Sequence, residues 1–114
     1  MKSIAEEKSF RYAIRIVKLY KYLTAEKKEY ILSKQLMRSG TSIGDNIAEA
    51  QQAQSTPDFI SKMNIALKES AETEYWLRLL HETDYLSDAE FHSMFDECTE
   101  IDKILTAIIK SAKK

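Results

Sequence analysis

Glycine, proline and cysteine are nearly missing from this chain, with two, one and one residues in 114. Average usage would supply roughly eight glycines and six prolines. So few breakers exclude Gly-rich loops, serial hairpins and a low-complexity linker, and they leave long helices as the natural outcome. The lone Cys98 excludes an internal disulfide and a cysteine-based zinc site. No apolar run approaches the roughly 20 residues that a membrane span needs. Nothing in Met1-Lys2-Ser3-Ile4-Ala5-Glu6-Glu7 resembles a signal peptide, because acids stand where an apolar core should run. The expectation is a cytoplasmic protein with no membrane partner. A strong charge of one sign is also lacking, since the formal net charge is −1.

The distribution of charge says more than its sum. Residues 1–30 hold eight Lys/Arg against four Asp/Glu, whereas residues 69–102 hold eleven Asp/Glu against the single Arg78. The chain is basic at its start and acidic in its second half. Its length suits one domain, and residues 1–114 are read as a single four-helix unit.

Local signals place the helices. Ser3 with Glu6 forms a capping-box pattern, so the first helix starts at Ile4 and runs to about Tyr22. At about 100° per residue, Phe10, Ala13, Ile14, Val17 and Tyr20 fill one sector, and Tyr12, Ile16, Leu19 and Leu23 fill the next. The combined arc exceeds the stripe one core requires, which leaves apolar surface to spare. Thr24 is read as the cap of a second helix, with Glu26 in its first turn and Leu32, Leu36, Ile43, Ile47 and Ala50 inward. Arg38 to Gly44 is poor helix-forming material, yet the apolar spacing keeps its phase across it, which favours one continuous helix. Thr56, Pro57 and Asp58 open a third helix to about Glu82, burying Phe59, Met63, Ala66, Leu67, Ser70, Leu77 and Leu80. Ser87 and Glu90 form a second capping box, with Leu86 and Phe91 placed as a hydrophobic staple. The fourth helix faces inward with Met94, Phe95, Cys98, Ile101, Leu105 and Ile108. Short connections imply antiparallel neighbours, so the fold class is all-α, an up-down-up-down four-helix bundle.

Candidate chemistry is sparse. Di-iron bundles need Glu-x-x-His pairs, and neither His81 nor His92 follows a Glu at that spacing. No metal, cofactor or catalytic set is expected. Cys98 falls on an apolar stripe and reads as a small core residue. Gly40-x-x-x-Gly44 lacks the Lys-Ser/Thr of a phosphate loop and reads as room for a close neighbour. Gln35, Arg38, Ser39, Ser42, Asn46 and Glu49 form a polar stripe on the second helix, and Ser70, Thr73 and Glu74 point inward from the third. A carboxylate there needs a cation, and Arg38 is the candidate partner for Glu74. Lys8, Arg11, Arg15 and Lys18 share one sector of the first helix, a candidate phosphate-contacting row.

The stretch Gln35-Leu36-Met37-Arg38-Ser39-Gly40-Thr41-Ser42-Ile43-Gly44-Asp45-Asn46-Ile47-Ala48-Glu49-Ala50 resembles the signature of the bacterial four helix bundle proteins, also called 23S rRNA intervening-sequence proteins. Ala66-Leu67-Lys68-Glu69-Ser70-Ala71-Glu72-Thr73-Glu74 resembles that family's second block. The resemblance implies a bundle that assembles into a ring-like homo-oligomer, typically a pentamer. Under it, Tyr12, Ile16 and Leu19, with the small residues Gly40, Gly44 and Ala48, are expected at subunit contacts. The chain is also similar to the accessory proteins of diversity-generating retroelements, which are basic and bind nucleic acid, whereas its own isoelectric point is about 6.1. Two functions are carried forward: a non-enzymatic oligomeric adaptor for a macromolecular partner, and a nucleic-acid-binding accessory protein using the basic row.

Overall fold

A computed structural model describes residues 3–114. Met1 and Lys2, which belong to the N-terminal stretch weighed above for a signal peptide, lie outside the described residues. Four helices follow one another as α1 (Ile4–Ala25), α2 (Leu32–Ala50), α3 (Thr56–Glu82) and α4 (Asp88–Ala112). They pack as an antiparallel bundle 45 Å long and 23 by 20 Å across. A helix of about 27 residues spans roughly 40 Å at 1.5 Å per residue, so α3 alone sets the length. Packing is closest between α2 and α3 and loosest between α1 and α4.

Both capping boxes form as the sequence predicts, Ser3 with Glu6 and Ser87 with Glu90. Leu86 is buried and Phe91 packs against the core. Two starts differ. Thr24 does not cap α2; it lies within α1, where its hydroxyl donates to the Tyr20 carbonyl. The cap comes from Glu29 instead. Lys28 turns the chain with a left-handed backbone (φ 56°), and the Glu29 carboxylate then accepts from the backbone N–H groups of Ile31, Leu32 and Ser33 at 3.1, 3.0 and 2.6 Å. A carboxylate that satisfies three orphan donors at the positive end of a helix outcompetes a single hydroxyl. Burial works against that charge, yet those backbone bonds outweigh it and hold the Glu29 carboxyl below its ordinary value. At α3 the cap is Ser55 rather than Thr56, its hydroxyl accepting from Asp58 N–H.

The inward faces follow the predicted phases. Leu36, Ile43, Ile47, Met63, Ala66, Leu77, Leu80, Cys98, Ile101 and Leu105 are all buried. In the last turn of α4, Ile109 rather than Ile108 is the buried residue, a drift of one position. Helix α2 runs unbroken through Arg38–Gly44.

The expected subunit-contact residues divide. Tyr12 and Ile16 are wholly buried within the bundle, and Tyr12 donates its hydroxyl to the Met94 carbonyl at 2.9 Å. Gly40 is buried against Ile16, and Leu19 packs on the core. Tyr12, Ile16 and Gly40 therefore work inside the subunit, while Leu19 is only partly covered. The sector with surface to spare is the other one, where Phe10 is 64% exposed and Ile14 44%. Periodicity delimits two sectors without saying which one turns inward.

A Cβ at Gly40 would stand 2.7 Å from two side-chain carbons of Ile16. Overpacking costs about 1–3 kcal/mol, and the helix-propensity gain of alanine over glycine returns only about 1 kcal/mol. Gly40→Ala is therefore expected to lower stability in urea unfolding. Ile16→Val in the same chain should recover part of the loss, and strictly additive effects would show that the two side chains do not meet.

Candidate functional site

Polar groups between the helices form two separate clusters. On the outer seam of α2 and α3, Arg38 pairs with Glu69 at 2.9 Å and with Glu72, and Lys62 pairs with Glu49 at 3.1 Å. Ser42 donates to the Arg38 carbonyl and Asn46 to the Ser42 carbonyl, so the α2 stripe is a ladder of bonds to the preceding turn. Gln35 is exposed at one end of it. Just inside this seam, Thr73 donates to Ser39 at 3.0 Å, both side chains being wholly buried.

The second cluster lies between α3 and α4. Ser70 donates to Asp102 and stands 3.2 Å from the Cys98 sulfur. Thr99 donates to Glu74 at 3.1 Å. Burial, and then the neighbouring Asp102 charge, push the Glu74 carboxyl up to about 7. Burial likewise pushes the Cys98 thiol up to about 12, so it is a protonated core group rather than a nucleophile.

The expected Arg38–Glu74 pair is therefore absent. Arg38 reaches the α2-facing flank of α3 at Glu69 and Glu72, while Glu74 projects from the opposite flank toward Thr99 on α4. Arg38, Ser42, Asn46 and Glu49 lie along the α2–α3 seam, with Gln35 at its end, whereas Ser70 and Glu74 belong to the α3–α4 cluster. Asp102 is the member that sequence reasoning missed. Its signal was present, since it stands one turn beyond Cys98 at i+4 on a stripe already read as inward.

The basic row is partly neutralised by the acidic half of the same chain. Lys8 pairs with Glu100 at 2.9 Å, and Arg15 pairs with Glu97 and donates to Ser93. Arg11 and Lys18 remain exposed. Among the described residues no group of three or more His, Cys, Asp or Glu side chains is arranged to hold a metal ion, and no helix is long and apolar enough to cross a membrane.

An apolar groove of about 420 Å³ lies between α1 and α2. Phe10, Ala13, Gly44 and Ala48 line it, and its charged lining residues are Glu6, Glu7, Arg11 and Asp45. Its depth follows from the close helix approach at Gly44, where an added Cβ would stand 3.3 Å from the Ser9 carbonyl oxygen.

The carboxyl of Glu74 gives a pH dependence with a definite sign. Its folded value lies above the 4.5 of an ordinary glutamate, so the folded state binds the extra proton. Stability contributed by that proton is fully present below about pH 4.5 and is lost as pH rises through about 7. For a half-buried group screened by solvent the loss is on the order of 1 kcal/mol. Glu74→Gln should flatten the stability profile between these limits in urea titrations, and an unchanged slope would remove Glu74 as its source.

Comparison with known proteins is consistent with this architecture. A crystal structure of a protein of unknown function from the S23 ribosomal protein family of Bacteroides thetaiotaomicron VPI-5482 superposes with a TM-score of 0.93 at 56% identity. The match covers 94% of this chain and 99% of that one. No curated protein matches the chain at a significant level. Residues 1–107 match the family described as 23S rRNA-intervening sequence protein. The bundle, the α2 signature and this match agree, and the chain belongs to the 23S rRNA-intervening sequence protein family.

Proposed function

We propose that this protein is a non-enzymatic, cytoplasmic homo-oligomer, ring-like and pentameric by its family resemblance, that serves as an adaptor or scaffold for a macromolecular partner. The observation that carries this reading is the unequal use of α1. One apolar sector, Tyr12, Ile16 and Leu23, is consumed by the subunit core. The other keeps Phe10 and Ile14 exposed beside an apolar groove with charged residues in its lining. A contiguous exposed apolar strip on a helix otherwise well packed marks a protein contact. The groove walls include the small residues Ala13, Gly44 and Ala48, which leave room for a side chain of a partner and favour assembly.

Ile14→Glu should convert the oligomer to the 13.2 kDa monomer in light scattering after size exclusion, with far-UV dichroism unchanged. A wild-type chain that runs as a monomer at tens of micromolar would overturn the oligomeric reading.

Nucleic-acid binding through Lys8, Arg11, Arg15 and Lys18 is the second reading. Two of its four cations already hold carboxylates of α4. With only Arg11 and Lys18 left to displace counterions, the slope of log affinity against log salt should be no steeper than about −2 per subunit. Fluorescence anisotropy on an RNA and DNA panel measures it. Tight binding with a much steeper slope, lost when all four are changed to Glu, would put this reading first.

A further inference from the structure

The groove between α1 and α2 has a counterpart on the same subunit. On the outer face of α3, Ile65 is 39% exposed and Tyr75 56%. Successive turns place Lys68 and Arg78 on the same stripe, with the small Ala71 between them, all exposed. The stripe is thus a ridge with apolar side chains and flanking cations. The groove is its complement, since small residues leave room in its floor and Glu7 and Asp45 are among its lining residues. Among the described residues none of Glu7, Asp45, Lys68 and Arg78 forms an ion pair within the chain, although seven other pairs do form. Arg11 also lines the groove and Glu82 follows Arg78 by one turn, so the unpaired charge is net acidic on the groove, with Glu6, Glu7 and Asp45, and net basic on the ridge.

These surfaces cannot meet within one subunit. Helices α1 and α3 are diagonal in the bundle, with close packing only between α1 and α2, α2 and α3, α3 and α4, and α1 and α4. We infer that the α1–α2 groove receives the outer face of α3 from a second copy of this chain, with Ile65 and Tyr75 toward the groove floor and Lys68 and Arg78 toward Glu7 and Asp45. This rests on the oligomeric reading above and specifies its contact. Because the two surfaces differ and face different directions, the contact is heterologous: each copy gives a ridge to one neighbour and a groove to the other. Such a contact continues from copy to copy until it closes on itself, whereas a self-complementary contact stops at two.

The decisive experiment uses two full-length variants, each defective on one side only. Ala48→Arg blocks the groove with a bulky cation, which also repels Lys68 and Arg78, at an exposed helical position. Ile65→Glu with Tyr75→Glu removes the ridge. Each alone should run at the 13.2 kDa chain mass with wild-type helicity, against a wild type at about three times that mass or more. Mixed in equal amounts they should form a species of twice the chain mass, because one intact ridge then meets one intact groove. If the ridge variant fails to fold, Lys68→Asp with Arg78→Asp replaces it and leaves the apolar side chains untouched. A mixture that stays monomeric, or a variant that keeps the wild-type mass, overturns the inference. A monomeric wild type sinks the oligomeric reading itself, whereas an oligomer indifferent to both variants sinks only this contact.

Discussion

The close approach of α1 and α2 is the constraint on which the rest of the subunit depends. Gly40 admits the side chain of Ile16, and Gly44 admits the backbone of Ser9, so α2 contributes no side chain of its own at either level. That approach fixes the rotation of α1 about its own axis. Tyr12, Ile16 and Leu23 are turned into the core, and Phe10 and Ile14 are left outside. It also brings Ser9 under cover, with the Glu6 carbonyl of its own helix to bond. The groove that begins at Gly44 is the outward consequence of the same geometry.

Polar chemistry in the bundle follows the seams rather than a pocket. Ion pairs on the α2–α3 flank and between α1 and α4 are exposed and individually weak, typically about 0–1 kcal/mol each. Their value lies in register, because Arg38 bridging Glu69 and Glu72 suits one alignment of α2 on α3. The α3–α4 seam is different in kind. Glu74 and Asp102 sit within one cluster with Ser70, Cys98 and Thr99, and hydroxyls supply what cations do not. An acid kept near neutrality in this way is a structural group whose state follows pH.

Much of this was legible beforehand because it is local. The capping boxes at Ser3 and Ser87 need only residues three apart, and the inward faces of α2 and α3 need only a period. Thr24 misled because a favourable capping residue carries no information about where a preceding helix stops. The true cap, Glu29, depends on the left-handed turn at Lys28, which a non-glycine residue does not advertise. The Arg38–Glu74 pairing failed for a tertiary reason. A helical wheel gives the angle of each residue but not which neighbour lies on which flank, and these two residues face different neighbours. The same gap exchanged core and surface on α1, since its two apolar sectors are equivalent until Gly40 selects one.

Glycine is used here for its size and not for its backbone freedom. Both glycines stand in α2 with ordinary helical geometry, whereas among the described residues positive φ falls at Lys28, in the link to α2, and at Asp84, in the turn after α3. A side chain in that region carries a steric penalty of roughly 1–2 kcal/mol, eased for aspartate by its short polar group. The division sorts the chain into tolerant and intolerant positions. Turns that hold small conformational debts can drift in sequence and lose little. The helix that looks most permissive by composition, with its run of serine, glycine and threonine, is the one least free to change. Lineages diverging from this protein should therefore vary at their bends and stay uniform along the middle of α2.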